Sequence, residues 1–242
     1  MANTGNIVTP LNFSGKSVEA ELVQNATDFR VQGRNIVINL GMSGIPIGEA
    51  PGKAIPPLSS TILVDTTIEQ ADSLVLLRTK PDSISVITGE PGWSLLADLP
   101  PGSKATPFPK DIPLWKSPQD DAGRITFDPA VVLEEATAPE QPQEFQIKVN
   151  LWFAPAGTDC AIHNQHDFIE VHTQVHGTGR MQKFRAQDPS THYEDILMSP
   201  GYTTPDPFCS TGPDGTFIYP WHQYHADTDC VWLAVEYHAQ AS

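Results

Sequence analysis

From Phe145 to Phe153 the apolar residues Phe145, Ile147, Val149, Leu151 and Phe153 stand at every second position, with Gln146, Lys148, Asn150 and Trp152 between them. A period of two puts one set on each side of a pleated strand, and this is the clearest strand in the chain. Shorter β-branched or aliphatic runs bounded by Gly, Pro, Asp and Ser predict further strands at Ile36 to Ile38, Thr61 to Val64, Leu74 to Leu77, Ile84 to Thr88 and Trp93 to Leu96. Pro81, Asp82 and Ser83 supply turn chemistry between the third and fourth of these.

Residues 42–58 carry Gly44, Pro46, Gly48, Pro51, Gly52, Pro56 and Pro57, and are expected to form a long loop, either a lid or an oligomer contact. Nine of the 23 prolines lie between Pro100 and Pro142, which marks a connector in which only Pro129 to Glu135 has the pattern of a helical turn or two. The expected organisation is therefore a β-rich region over 1–100, a Pro-rich connector over 101–144 and a second β lobe over 145–242.

Composition supports an all-β chain with little helix. Only 18% of the 242 residues are charged, and 17 glycines join the prolines in breaking helical runs. The 14 Lys and Arg stand against 29 Asp and Glu, a net charge of −15, which argues against nucleic acid as a partner because backbone binding needs a basic face. No stretch approaches the ~18 apolar residues of a membrane span. Met1 to Gly15 has neither a basic start nor an apolar run. The three cysteines, Cys160, Cys209 and Cys230, are too few for a disulfide framework and lack the spacing of a zinc ribbon. A soluble protein of the reducing cytoplasm is the expectation, and the glycosylation-type matches at Asn12 and Asn25 then carry no weight.

Chemistry concentrates at one end. All eight histidines lie at or beyond residue 163: His163, His166, His172, His176, His192, His222, His225 and His238. Histidine is the commonest metal ligand and the usual proton carrier near neutrality, so the C-terminal lobe is where chemistry is expected. His176, His192 and His238 read as surface or hydrogen-bonded residues.

The spacing adds a more specific signal. Gly157, five residues, His163, one residue, Gln165, four residues, Glu170, six residues and Gly177 resemble the first motif of the cupin superfamily, with Gln in place of its second His. Residues 163 and 165 would share one face of a strand, and Glu170 would return on the neighbouring antiparallel strand. Pro220, Trp221, His222, Gln223, Tyr224 and His225 are similar to the second motif, with His222 in place of its glycine and Asp229 where Asn is frequent.

The resemblance covers residues 145–238 and implies a cupin-type double-stranded β-helix, or jelly-roll, barrel. The N-terminal strands would then be either a degenerate second lobe, the preferred reading, or an extension of the barrel. It implies metal ligation by His163, Glu170 and His225, with Gln165 as a weaker fourth ligand. His172 and His222 would either complete a three-histidine site or act as the catalytic base. Two histidines and a carboxylate suit ferrous iron and leave positions open for substrate and dioxygen, while zinc, manganese or nickel are alternatives.

The leading function is an Fe(II) dioxygenase acting on a small organic substrate, in a homo-oligomer, expected as a dimer. A non-redox metal-dependent isomerase, cyclase, lyase or hydrolase and a non-catalytic ligand-binding cupin are the other two classes. No G-x-S-x-G elbow, phosphate-binding glycine loop or H-E-x-x-H sequence offers a rival. Cys160 lies three residues before His163, an offset that would put the two on opposite faces of a regular strand, so it reads as a core residue.

Overall fold

The computed structural model describes residues 5–100, 108–135, 141–204, 207–212 and 214–240. The N-terminal half runs through β1 (Ile7–Pro10), β2 (Val18–Arg30), β3 (Arg34–Asn39), β4 (Ile45–Pro46), β5 (Ala54–Ile55), β6 (Ser60–Val64) and β7 (Thr67–Thr79). Two short strands follow, β8 (Ser94–Leu95) and β9 (Trp115–Lys116), then β10 (Asp120–Phe127), helix α1 (Pro129–Val132) and β11 (Gln143–Ala154). The last part contains β12 (Ile169–His176), β13 (Gly179–Phe184), β14 (His192–Met198), β15 (Ser210–Thr211), β16 (Phe217–Ile218), β17 (Trp221–Ala226) and β18 (Cys230–Ala239).

Three main sheets stack face to face. The first is five-stranded in the order β1-β2-β7-β3-β6, the second runs β12-β18-β11-β9-β8 with β10 also on β11, and the third is β14-β13-β17. The C-terminal half is a jelly roll. Its successive segments are β11, the stretch around 159–163, β12, β13, β14, the stretch at Thr203, β17 and β18. Numbered one to eight in that order, they pair 1-8-3-6 in one sheet and 2-7-4-5 in the other, the two Greek keys of such a barrel. Gly177 makes the β12–β13 turn with φ +75°, and a Cβ there would fall 2.1 Å from the Asp229 carbonyl oxygen.

The expected alternation of β11 is realised against β18. Ile147, Val149, Leu151 and Phe153 stand opposite Tyr237, Val235, Leu233 and Val231. All eight are buried in one cluster with Val18, Ala20, Leu22, Ile36, Ile38, Val75 and Leu77 of the first sheet. One core thus joins the two halves, and Tyr237 Oη donates across it to the Leu40 carbonyl at 3.0 Å. The predicted strands at 36–38, 61–64 and 74–77 fall within β3, β6 and β7.

Three local expectations change. Ile84 to Thr88 lies in a 3₁₀ helix, Pro81–Gly89, because Pro81 opens the first turn and Ile84 and Ile87, three apart, bury on one side while Val86 faces solvent. The 42–58 segment is largely loop, yet β4 and β5 pair within it and bring buried Ile45 and Ile55 onto the outer face of the first sheet. The expected connector contains α1 and also supplies β9 and β10, which pair in succession along one edge of β11. Its residues 101–107 and 136–140 lie outside the described residues. No described helix is long and apolar enough to cross a membrane.

Candidate metal centre

Between the second and third sheets lies a cavity of about 500 Å³. Most of its wall is apolar, including Leu96, Phe108, Leu114, Trp152 and Phe168, while His163, His166 and His222 converge on it. An apolar pocket with a few convergent polar groups is the usual form of a small-molecule site.

The convergence has a backbone cause. His163 and His222 exchange both backbone hydrogen bonds, N to O at 2.9 Å each way, so they are directly opposed and share a face. Asp159 is bridged to His225 in the same ladder, which leaves four steps on one strand against three on the other. The extra residue is a bulge, and Ala161 takes φ +67° within it. The bulge turns His163 inward although Asp159, four residues earlier, faces outward. It also brings Cys160 to the cavity wall along with His163, contrary to the regular-strand expectation. Burial pushes the Cys160 thiol up, so it is no thiolate.

The imidazoles of His163, His166 and His222 each offer a nitrogen, all within 4.8 Å of one another. His163 Nδ1–H donates to the Ala161 carbonyl and His222 Nδ1–H to the Pro220 carbonyl, both at 2.9 Å. These bonds set the tautomers and leave a lone pair on each neutral ring at Nε2. His166 Nε2 lies 3.2 Å from His222 Nε2. Two nitrogens bound to one ion at about 2.1 Å in tetrahedral or octahedral geometry stand about 3.0–3.4 Å apart, so the His166–His222 pair has the spacing of two ligands of one divalent metal, with His163 in the same group.

Burial, followed by the neighbouring rings, lowers the imidazoles. His166 falls to about 3, with His163 and His172 as secondary causes. His222 is held well below its ordinary value by burial, then by His163 and His166. His163 is lowered by burial against the opposing Ala161 bond. The rings are thus neutral at pH 7, the state that a metal requires.

His166 comes from the reversal before β12, and Tyr219 holds that reversal. Its Oη accepts from the Glu170 backbone N–H at 3.0 Å and donates to the Phe168 carbonyl at 2.9 Å. Its ring lies 4.7 Å from that of His166.

The residues expected from sequence divide. His163 and His222 meet in the cluster. Glu170 stands beside it, 4.0 Å from His166 Nδ1 and 3.5 Å from His172 Nε2. Burial, then the facing Glu236, raises its carboxyl well above the ordinary value, with Lys116 opposing. Gln165 is exposed at the cavity wall.

His225 is not in the group. It lies three residues from inward-facing His222, hence on the other face of β17, where its Nδ1 is 2.8 Å from Asp159 Oδ1. His222 rather than His225 joins the group, with Nδ1 on the Pro220 carbonyl and Nε2 turned toward His166. His172, the other catalytic candidate, is buried on the cavity wall, lowered to about 3 by burial and then by His222 and His163. His166 was missed as a ligand candidate. Its signal was the three-residue spacing from His163 in a stretch already expected to reverse.

No family model and no curated protein matches the chain. Among solved structures, the S161A variant of oxalate decarboxylase from Bacillus subtilis aligns at 10% identity over 100% of this chain and 75% of that one, with a TM-score of 0.31. Ectoine synthase from P. lautus aligns at 16% identity over 39% of this chain and 56% of that one, TM-score 0.27. A ribosomal oxygenase of Escherichia coli aligns at 17% identity over 39% of this chain and 24% of that one, TM-score 0.29. With likenesses this distant, the jelly-roll assignment rests on the strand pairing itself.

Proposed function

We propose that the chain is a mononuclear metal-dependent enzyme, an Fe(II) dioxygenase of a small organic substrate, with His163, His166 and His222 as the protein's ligands. The observation that carries this reading is the meeting of three neutral imidazoles at one wall of an apolar cavity, two of them with Nδ1 tied to backbone carbonyls. Ferrous iron held there would supply open positions at which substrate and dioxygen are brought together.

The chain's own residues would do the rest. The Ala161 and Pro220 carbonyls fix the orientation of two ligand rings. Trp152, Phe108 and Leu114 keep water from the substrate. His172, a neutral ring with Nε2 3.5 Å from Glu170 Oε1, would orient the substrate by a hydrogen bond from the cavity wall. Glu236 faces Glu170 across the β12–β18 pair and is held by Gln119 at 2.9 Å and His238 at 2.7 Å.

A second reading is favoured by the ligand set itself. Three histidines without a carboxylate in the close group also suit zinc, which would make the protein a non-redox lyase, isomerase or hydrolase. Anaerobic loading with ferrous iron, followed by nitric oxide, separates the two. The dioxygenase reading expects one equivalent of iron and a spin-3/2 resonance from an open ferrous site. One equivalent of zinc with no retained iron supports the second reading, and no stoichiometric metal overturns both in favour of a ligand-binding barrel.

A further inference from the structure

Among the described residues one cation lines the cavity. Lys116 lies on β9 opposite Trp152, and its Nζ stands 5.1 Å from the centroid of the Trp152 ring. Among the described residues no carboxylate lies within 4.0 Å of it, as for seven other lysines and arginines; what sets Lys116 apart is its place in the cavity wall. The carboxylates of the same cavity are placed elsewhere: Glu236 with Gln119 and His238, Glu170 beside His166 and His172. The ring face of Trp152 attracts the ammonium but leaves its charge unmatched. A half-buried charge in an apolar wall is costly without a counter-charge.

Its place in the sheet says which end of a ligand it would meet. Lys116 and Glu170 lie on β9 and β12, separated by β11 and β18, three strand spacings or about 14 Å of backbone. The lysine and the histidines thus line one cavity from strands that are not neighbours.

We infer that the cavity takes a monocarboxylic acid with an apolar body, its carboxylate on Lys116 and its opposite end toward His163, His166 and His222. A single lysine matches one negative charge, and among the described residues no arginine lines the cavity to meet a dianion such as phosphate. Only the orientation toward the histidines rests on the function proposed above; the anchor at Lys116 stands apart from it.

Calorimetric titration tests this with 3-phenylpropionate and hexanoate, each against its own amide, on metal-loaded and metal-stripped protein. At least one acid should bind tenfold or more tighter than its amide in both metal states. The preference should vanish in Lys116→Met and return in Lys116→Arg. Equal binding of acids and amides, no binding of either acid, a preference that survives Lys116→Met, or one confined to metal-loaded protein would overturn the inference; the last would assign the carboxylate to the metal. If the protein holds no metal yet shows the Lys116-dependent preference, the anchor stands and the metal reading fails.

Discussion

β18 is buried on both sides, but its two faces are built for different ends. Toward the N-terminal sheet it presents Val231, Leu233, Val235 and Tyr237, all within the shared core. Toward the cavity it presents Trp232, Ala234, Glu236 and His238, and the neighbouring β12 adds Glu170 and His172 on the same side. One face is closed by apolar packing with a single buried hydroxyl, that of Tyr237, bonded across it, while the other keeps several titratable groups out of water, where they are neutral or held by specific partners. Burial by itself therefore does not distinguish core from site. The kind of group that is buried does.

Acid should break the cavity face first. In the folded metal-free protein His163, His166, His172 and His222 are lowered, whereas in the unfolded chain they titrate near 6.5. The unfolded state then holds more protons, so stability is fully present above about pH 6.5 and is lost as pH falls, by up to about 1.4 kcal/mol per pH unit for each histidine. For His166 and His172 the loss continues toward their folded values of about 3. Urea titrations at pH 7, 6 and 5 would read this, and bound metal should raise the stability at each pH without lessening its fall.

Truncation should break the other face. Leu233→Ala is expected to lower the unfolding free energy by about 2–5 kcal/mol while metal still binds at one equivalent. Equal effects on stability and on metal would erase the distinction between the two faces.

Smaller changes sharpen it. Tyr219→Phe leaves the Phe168 carbonyl and the Glu170 N–H without their partner, so it should destabilise by about 1–3 kcal/mol. It should also weaken metal binding about tenfold by loosening His166. On the outer surface, Arg78→Ala removes a 3.2 Å pair with exposed Glu19 and should change stability by less than about 1 kcal/mol, with no effect on metal.

Much of this division was legible before any coordinates. The alternation at 145–153 announced β11 and its inward side, and the confinement of histidine to the C-terminal lobe pointed to the region of the histidine cluster. The long strand β2 was not anticipated. Its residues 18–22 alternate, but Val23 is buried beside Leu22, and Asn25 and Asp28 take positive φ, which breaks the period although the pairing with β7 keeps one register. The 3₁₀ helix was mistaken for a strand because a short apolar run fits either, and only the three-residue spacing of Ile84 and Ile87 tells them apart. His225 lies outside the histidine cluster for a related reason. Two histidines three apart on a strand must face opposite ways, and which one faces inward depends on the bulge at Ala161, a feature of the partner strand that spacing within 220–225 does not report.

The most direct test measures metal content and affinity side by side in His222→Ala and His225→Ala, with the unaltered protein as reference. The account predicts one equivalent of divalent metal in the reference and in His225→Ala, and loss of more than about a hundredfold in affinity in His222→Ala, beyond what an outer partner would cause. Metal retained in His222→Ala and lost in His225→Ala would contradict it.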